Sequence, residues 1–229
     1  MTRTRVRMGI EGLDEMLGGG LVPGSICAVI GTYGTGKSTI ARQFIEAGLL
    51  ASETCIFISL EEREEHIRTG MRAIAETAAP EHLFVVRLDP TDFNIAASSL
   101  KKDIPELISK LGASRIVIDP VSLYEGLYDD PAERRKELFR FFDMMRDLDC
   151  TLLLTSESAG GDAYTSRYGL IEYLADTVIS LRYVRPDDLS AVHLAAEVVK
   201  MRWSAHSREI KPFEIRERGV VVHADARVF

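Results

Sequence analysis

Residues 26–38 read Ile26-Cys27-Ala28-Val29-Ile30-Gly31-Thr32-Tyr33-Gly34-Thr35-Gly36-Lys37-Ser38. Five apolar residues run directly into the complete pattern G-x-x-x-x-G-K-S, which is the mark of a phosphate-binding loop set between a buried strand and a helix. The glycines let the backbone curl so that successive N–H groups converge on phosphate oxygens. The helix that follows offers its positive N-terminal end to the same anion. Gly31, Thr32, Tyr33, Gly34, Thr35, Gly36, Lys37, Ser38 and Thr39 are therefore candidate phosphate contacts, with Lys37 reaching the β- and γ-phosphates and Ser38 meeting magnesium. The pattern predicts a helix from Ser38 to Ala51 that turns Ile40, Phe44 and Ala47 toward a core.

Outward from this loop, apolar runs alternate with helical patterns. Strands are expected at 54 to 60, 83 to 88, 115 to 119, 150 to 155 and 176 to 183, the order of a mostly parallel α/β sheet covered by helices on both faces. The clearest helix opens with Asp130 as N-cap, Pro131 in the first turn and Glu133 at the capping-box position. Leu138, Phe141, Phe142, Met145 and Leu148 form its expected buried stripe. In the last third, Ala191 to Lys200, Phe213 to Arg216 and Val220 to His223 are separated by turn-like segments, which predicts an antiparallel extension at one sheet edge. No repeat or linker-like composition interrupts the chain, so a single domain over 1–229 is expected.

The 229 residues are 46% hydrophobic and 28% charged, ordinary for a folded globular protein. No apolar run approaches the length of a membrane span and the N-terminus lacks a signal-peptide core, so a cytoplasmic location is expected. Cys27, Cys55 and Cys150 lie in or beside apolar runs without metal-ligand or redox spacing, as reduced core residues do. Acidic residues outnumber basic ones 35 to 28, a formal charge of -7 that disfavours nucleic acid unless one face is locally basic. The histidines show no metal-like spacing.

Hydrolysis at a phosphate loop needs a metal-orienting carboxylate at the end of a nearby strand. Arg115-Ile116-Val117-Ile118-Asp119 supplies one in Asp119, although Asp also caps turns. Glu61-Glu62 follow the second strand at the ligand-binding edge of such a sheet. Either carboxylate is placed to polarise a water, and the run Glu61 to Glu65 reads equally well as the acidic start of a helix. Thr155-Ser156 close another strand at the same edge, as γ-phosphate sensors or as polar strand ends.

Three stretches together resemble one family. Gly9-Ile10-Glu11-Gly12-Leu13-Asp14-Glu15-Met16-Leu17-Gly18-Gly19-Gly20-Leu21, the pair Glu61-Glu62, and Lys200-Met201-Arg202 with His206 look like the KaiC domain of the RecA superfamily. The resemblance implies a RecA-like ATPase core that binds ATP with Mg2+ between subunits of a ring, usually a homo-hexamer. It makes Glu61 and Glu62 the catalytic carboxylates and places Lys200 and Arg202 across the interface on the neighbour's nucleotide, where cations stabilise charge developing in phosphoryl transfer. His206 and Arg208 match further nucleotide-side positions. Without the resemblance, Lys200 and Arg202 read as solvent-facing residues of an edge strand. Adenine over guanine rests on the resemblance alone.

Departures qualify it. The clock members carry two such domains in tandem, and this chain has the motifs of one. Alignment on Ala175-Asp176-Thr177 puts Glu172-Tyr173 where the second clock domain has its autophosphorylated Ser-Thr pair, so that reaction is not expected here. Trp203 stands where the family often has glycine. The function implied is a slow, ring-forming ATPase that acts as a switch or scaffold for a regulatory protein partner. One alternative is a recombination-type protein on DNA, for which the segment Ser158 to Tyr168 offers Gly160-Gly161 and the single cation Arg167. Another is a non-hydrolysing ATP-binding component of an archaeal motility complex, against which the intact Glu61-Glu62 pair argues.

Overall fold

The computed structural model describes residues 4–71, 80–89, 91–160, 162–185 and 192–226. Strand β1, Ile26–Gly31, is buried at every position because its alternate side chains enter two different cores. Cys27 and Val29 pack on one face with Ile40, Phe44, Ile45 and Leu49 of the helix Lys37–Leu50. Ile26, Ala28 and Ile30 pack on the other with Leu138, Phe141, Phe142 and Met145 of the helix Pro131–Arg146. Two helical layers thus enclose one sheet, the α/β arrangement expected from the sequence.

The other strands are β2 (Cys55–Ser59), β3 (Leu83–Arg87), β4 (Arg115–Asp119), β5 (Thr151–Glu157), β6 (Thr177–Val184), β7 (His193–Met201), β8 (Lys211–Arg216) and β9 (Gly219–Val222). Their spatial order is β3-β2-β4-β5-β1-β6-β7-β8-β9. The first six run parallel and β7 to β9 return antiparallel, which is the predicted C-terminal extension. Residue 191, where that extension was expected to begin, lies outside the described residues. Strand β8 begins at Lys211 rather than Phe213, and β5 runs on to Glu157.

Asp130 caps the helix Pro131–Arg146 by accepting the N–H groups of Ala132 and Glu133. Leu148 corrects the predicted stripe. The helix stops at Arg146, so Leu148 sits past its end and is only half-buried. The acidic run divides: Glu64 and Glu65 open the helix Glu64–Gly70, while Glu61 and Glu62 occupy the turn before it. All three cysteines are free and buried, and burial pushes the thiols of Cys55 and Cys150 up to about 12.

The N-terminal block forms a short helix, Leu13–Met16, whose Leu13 and Met16 enter the first core with Leu17 and Leu21. Its Asp14 carboxylate accepts the N–H of Met8 at 2.6 Å and of Gly9 at 3.1 Å. The carbonyl of Met16 accepts the N–H of Ser207 at 2.8 Å, so this block anchors the loop after β7.

Candidate nucleotide site

Because β1, β2, β4 and β5 are parallel, their C-terminal ends lie along one sheet edge, and four candidate groups meet there. The phosphate loop leaves β1. Gly36, at φ +87°, caps the following helix in a left-handed conformation. A Cβ at Gly34, where φ is +74°, would sit 2.5 Å from the Tyr183 hydroxyl. Both positions therefore require glycine. Lys37 Nζ donates to the carbonyls of Gly31 at 2.9 Å and Thr32 at 2.8 Å, spanning the hollow that phosphates would fill. Burial holds the Lys37 ammonium below its usual range, while Asp119, Glu157 and Glu61 pull it back up.

Asp119 ends β4 and is buried. It accepts a hydrogen bond from the Thr155 hydroxyl of β5, and Ser38 of the phosphate loop lies near enough to favour its charged form. Burial raises its proton affinity, and these two hydroxyls oppose that rise. A carboxylate and a hydroxyl converging at the phosphate loop fit magnesium, a hard cation that takes oxygen ligands and leaves its other positions to water and phosphate. Ser156, next along β5, is buried and donates to the Glu157 carbonyl instead.

Ser59, the last residue of β2, fixes the turn that follows. Its hydroxyl donates to the Glu62 carbonyl at 2.9 Å and accepts the Glu61 N–H at 3.3 Å. The two glutamates then differ. Both oxygens of Glu62 lie 2.6 Å from Nη2 of Arg42 on the phosphate-loop helix. Glu61 is exposed, lies near enough to Lys37 to act on its charge, and makes no ion pair among the described residues.

Lys200 and Arg202 are not brought to this edge. Lys200 pairs with Val178, which pairs with Ala28, three residues before Gly31. At about 3.3 Å per residue, the nearest end of the chain's own phosphate loop is ~10 Å away along the sheet. The Lys200 ammonium donates to the carbonyls of Glu172, Tyr173 and Ala175, at the end of the short helix Ile171–Leu174. Arg202 donates to Asp176 and to the Tyr173 carbonyl. His206 is half-buried with Nδ1 2.8 Å from the Ser207 carbonyl oxygen, and Arg208 is exposed. Among the described residues no three His, Cys, Asp or Glu side chains gather as a metal cluster.

Two features escaped the sequence. One is Arg42, the partner of Glu62. The other is an open pocket of about 570 Å³ beside the phosphate-loop helix, lined by Thr39, Arg42, Gln43 and Glu46 of the helix and by Ile215 to Gly219 of the β8–β9 hairpin. The helix residues recur at helical spacing from Thr39, which is a legible signal, but the hairpin lies about 170 residues away in sequence. Gln43 joins the two by accepting the Val220 N–H at 2.7 Å and donating to its carbonyl at 3.2 Å. Burial pushes Glu46 up to about 7.

A family model described as the KaiC ATPase matches residues 6–227, nearly the whole chain. The chain belongs to the KaiC family. It is 32% identical to the UPF0273 protein of Methanopyrus kandleri, covering 97% of this chain and 93% of that one. It is 30% identical to the circadian clock oscillator protein KaiC of Synechococcus elongatus, covering 94% of this chain but only 43% of the clock protein, so it spans less than half of that relative. Among solved structures, the crystal structure of the KaiC-like protein PH0186 of Pyrococcus horikoshii is similar over 96% of this chain and 98% of that one, with a TM-score of 0.81 and 30% identity. The RecA-like α/β core with its antiparallel C-terminal strands is thus shared with a KaiC-family neighbour.

Proposed function

We propose that this KaiC-family chain is a single-domain, magnesium-dependent ATPase that assembles as a ring, with a hexamer as the expected size, and hydrolyses ATP between subunits. The observation that carries this reading is the separation of the two half-sites. The phosphate loop, Glu61 and the Ser38–Asp119–Thr155 group share one sheet edge, while Lys200 and Arg202 lie too far along the sheet to serve the same nucleotide. A neighbour supplies them.

In this reading Ser38 and Asp119 hold magnesium, which when bound offsets the charge of the β- and γ-phosphates. Lys37 binds the same phosphates, Glu61 orients the attacking water and accepts its proton, and Glu62 is held by Arg42 as a positioning residue. Lys200 and Arg202 of the next subunit stabilise charge on the transferred phosphoryl group, with His206 and Arg208 beside them on that trans face. The 570 Å³ pocket beside Thr39 is the place for the base.

The catalytic output serves a cytoplasmic regulatory switch or scaffold, a reading supported by a site built from a phosphate cradle and a water-polarising carboxylate. Among the described residues no helix is long and apolar enough to cross a membrane. A DNA-filament role gains no support, since Arg167, the cation of the loop after β5, is paired with Glu157 at 2.6 Å. A non-hydrolysing role is disfavoured by Glu61, which makes no ion pair among the described residues. Clock-type phosphorylation of a Ser-Thr pair is not expected, because Glu172 and Tyr173 occupy that place.

Sizing the chain with and without Mg-ATP, then assaying phosphate release on each fraction, tests the reading. It predicts a nucleotide-dependent assembly that carries the activity. Equal turnover in a monomer contradicts it.

A further inference from the structure

Trp203 has φ +61°, one of two non-glycine residues at positive φ among those described. A bulky L-residue is strained there, and such strain persists only where surrounding contacts overdetermine it. They do here. The Arg202 N–H donates to the Asp176 carbonyl at 2.8 Å, the Arg5 guanidinium donates to the Ser204 hydroxyl at 2.5 Å, and Ser207 is tied to Met16. The turn is fixed on both sides, yet the indole it carries is 74% exposed and so gains little packing within its own chain.

Tyr173, 72% exposed, stands close by, because its carbonyl accepts from both Lys200 and Arg202. Two large exposed rings are thus carried by the segments that hold the cation pair Lys200 and Arg202, and aromatic residues with arginine dominate the binding energy of protein interfaces. The opposite edge of the same chain is complementary. It presents Tyr33, 88% exposed on the phosphate loop, together with the exposed carboxylate of Glu61. A cationic, aromatic face matched to an acidic, aromatic one on the same molecule makes a head-to-tail contact, which closes into a ring when the rotation allows.

We infer that Trp203 and Tyr173 form the aromatic part of the face on which a second copy of this chain docks through its phosphate-loop edge, so that assembly buries the Trp203 indole. The inference rests on the ring reading above and adds to it a specific contact, with backbone strain at Trp203 retained for the sake of that contact.

Trp203 is the chain's only tryptophan, so emission excited selectively in the indole band, where the tyrosines do not absorb, reports this surface alone. Emission and acrylamide quenching are measured on the full chain, with magnesium and a slowly hydrolysed ATP analogue, in monomer and assembled fractions separated by sizing. The expected result is a blue shift with a several-fold lower quenching constant in the assembly. Trp203→Gly removes the ring and suits the backbone, so it should leave the melting temperature unchanged or raised while the concentration needed for assembly rises about tenfold or more. Trp203→Phe should assemble nearly as the parent does. An assembly whose indole stays as solvent-exposed as the monomer's, or a Trp203→Gly chain that assembles at the parent concentration, overturns the inference and leaves the ring reading standing. A parent chain that stays monomeric with nucleotide overturns both.

Discussion

Nη2 of Arg42 lies 2.6 Å from each carboxylate oxygen of Glu62, and that contact separates two adjacent glutamates that the sequence presents as equals. Glu62 is spent on holding the β2 turn against the phosphate-loop helix. Glu61 makes no ion pair among the described residues and lies near enough to Lys37 to act on its charge.

Glu61→Gln is therefore expected to cut turnover by about 100-fold or more, the usual scale for losing a general base, with nucleotide affinity nearly unchanged. Glu62→Gln should act differently. It weakens a partly exposed ion pair, costing about 1 kcal/mol of stability, and lowers turnover only through the position of the turn. Single-turnover phosphate release beside an independent nucleotide-binding titration separates the two. Parent-level turnover in Glu61→Gln contradicts the assignment.

The hydroxyl of Thr155 donates to Asp119, the carboxylate assigned to magnesium. Outer partners of metal ligands typically contribute about 10- to 100-fold in metal affinity. Thr155→Val is expected to raise the magnesium concentration for half-maximal activity by about tenfold, and Asp119→Asn by more. A magnesium titration unchanged in both variants removes Asp119 from the metal site.

Glu125, six residues beyond Asp119, is fully buried, and among the described residues neither of its carboxylate oxygens has a hydrogen-bond partner. Burial, with the nearby charge of Glu172, pushes its carboxyl up to about 8, against the opposing effect of Arg134 and Arg167. An unfolded glutamate ionises near 4.5, so the folded chain holds the extra proton between these values. The linked stability is fully present below about pH 4.5, falls as pH rises, and is lost once pH passes through about 8. Glu125→Gln cannot ionise and should flatten that slope, making the variant more stable than the parent at alkaline pH by on the order of a few kcal/mol. Urea denaturation at acidic and alkaline pH checks it. Parallel pH profiles for parent and variant refute it.

Arg115 is buried where β4 begins and donates to Glu53 and to the carbonyls of Arg7 and Phe44. Arg115→Ala strands a half-buried carboxylate and two carbonyls, so a destabilisation of about 3–5 kcal/mol is expected in denaturant titration. A loss below about 1 kcal/mol would show that these groups find other partners.

The local parts of this molecule were legible. An apolar run of five residues ending in glycines gives β1 and its loop, and β4 is bounded as read because an apolar run ending in Asp is a self-contained signal. The antiparallel end followed from turn spacing. What escaped depends on contacts between distant residues. Nothing near Glu61-Glu62 announces that Arg42 will select one of them, and the hairpin that walls the pocket beside Thr39 lies far along the chain. Leu148 fits the helical period but falls past the point where the helix ends. The strain at Trp203 is a backbone property, signalled in the sequence only by a tryptophan standing where the family often has glycine.

The most direct test of a site shared between subunits is to mix two inactive variants. Lys37→Ala chains cannot hold nucleotide phosphates but keep Arg202, and Arg202→Ala chains hold nucleotide but lack the trans cation. In mixed assemblies some sites join an intact phosphate loop to an intact Arg202, so phosphate release should reappear on mixing in proportion to those pairings. Mixed assemblies that form, as shown by sizing, and stay as inactive as each variant alone would contradict the account.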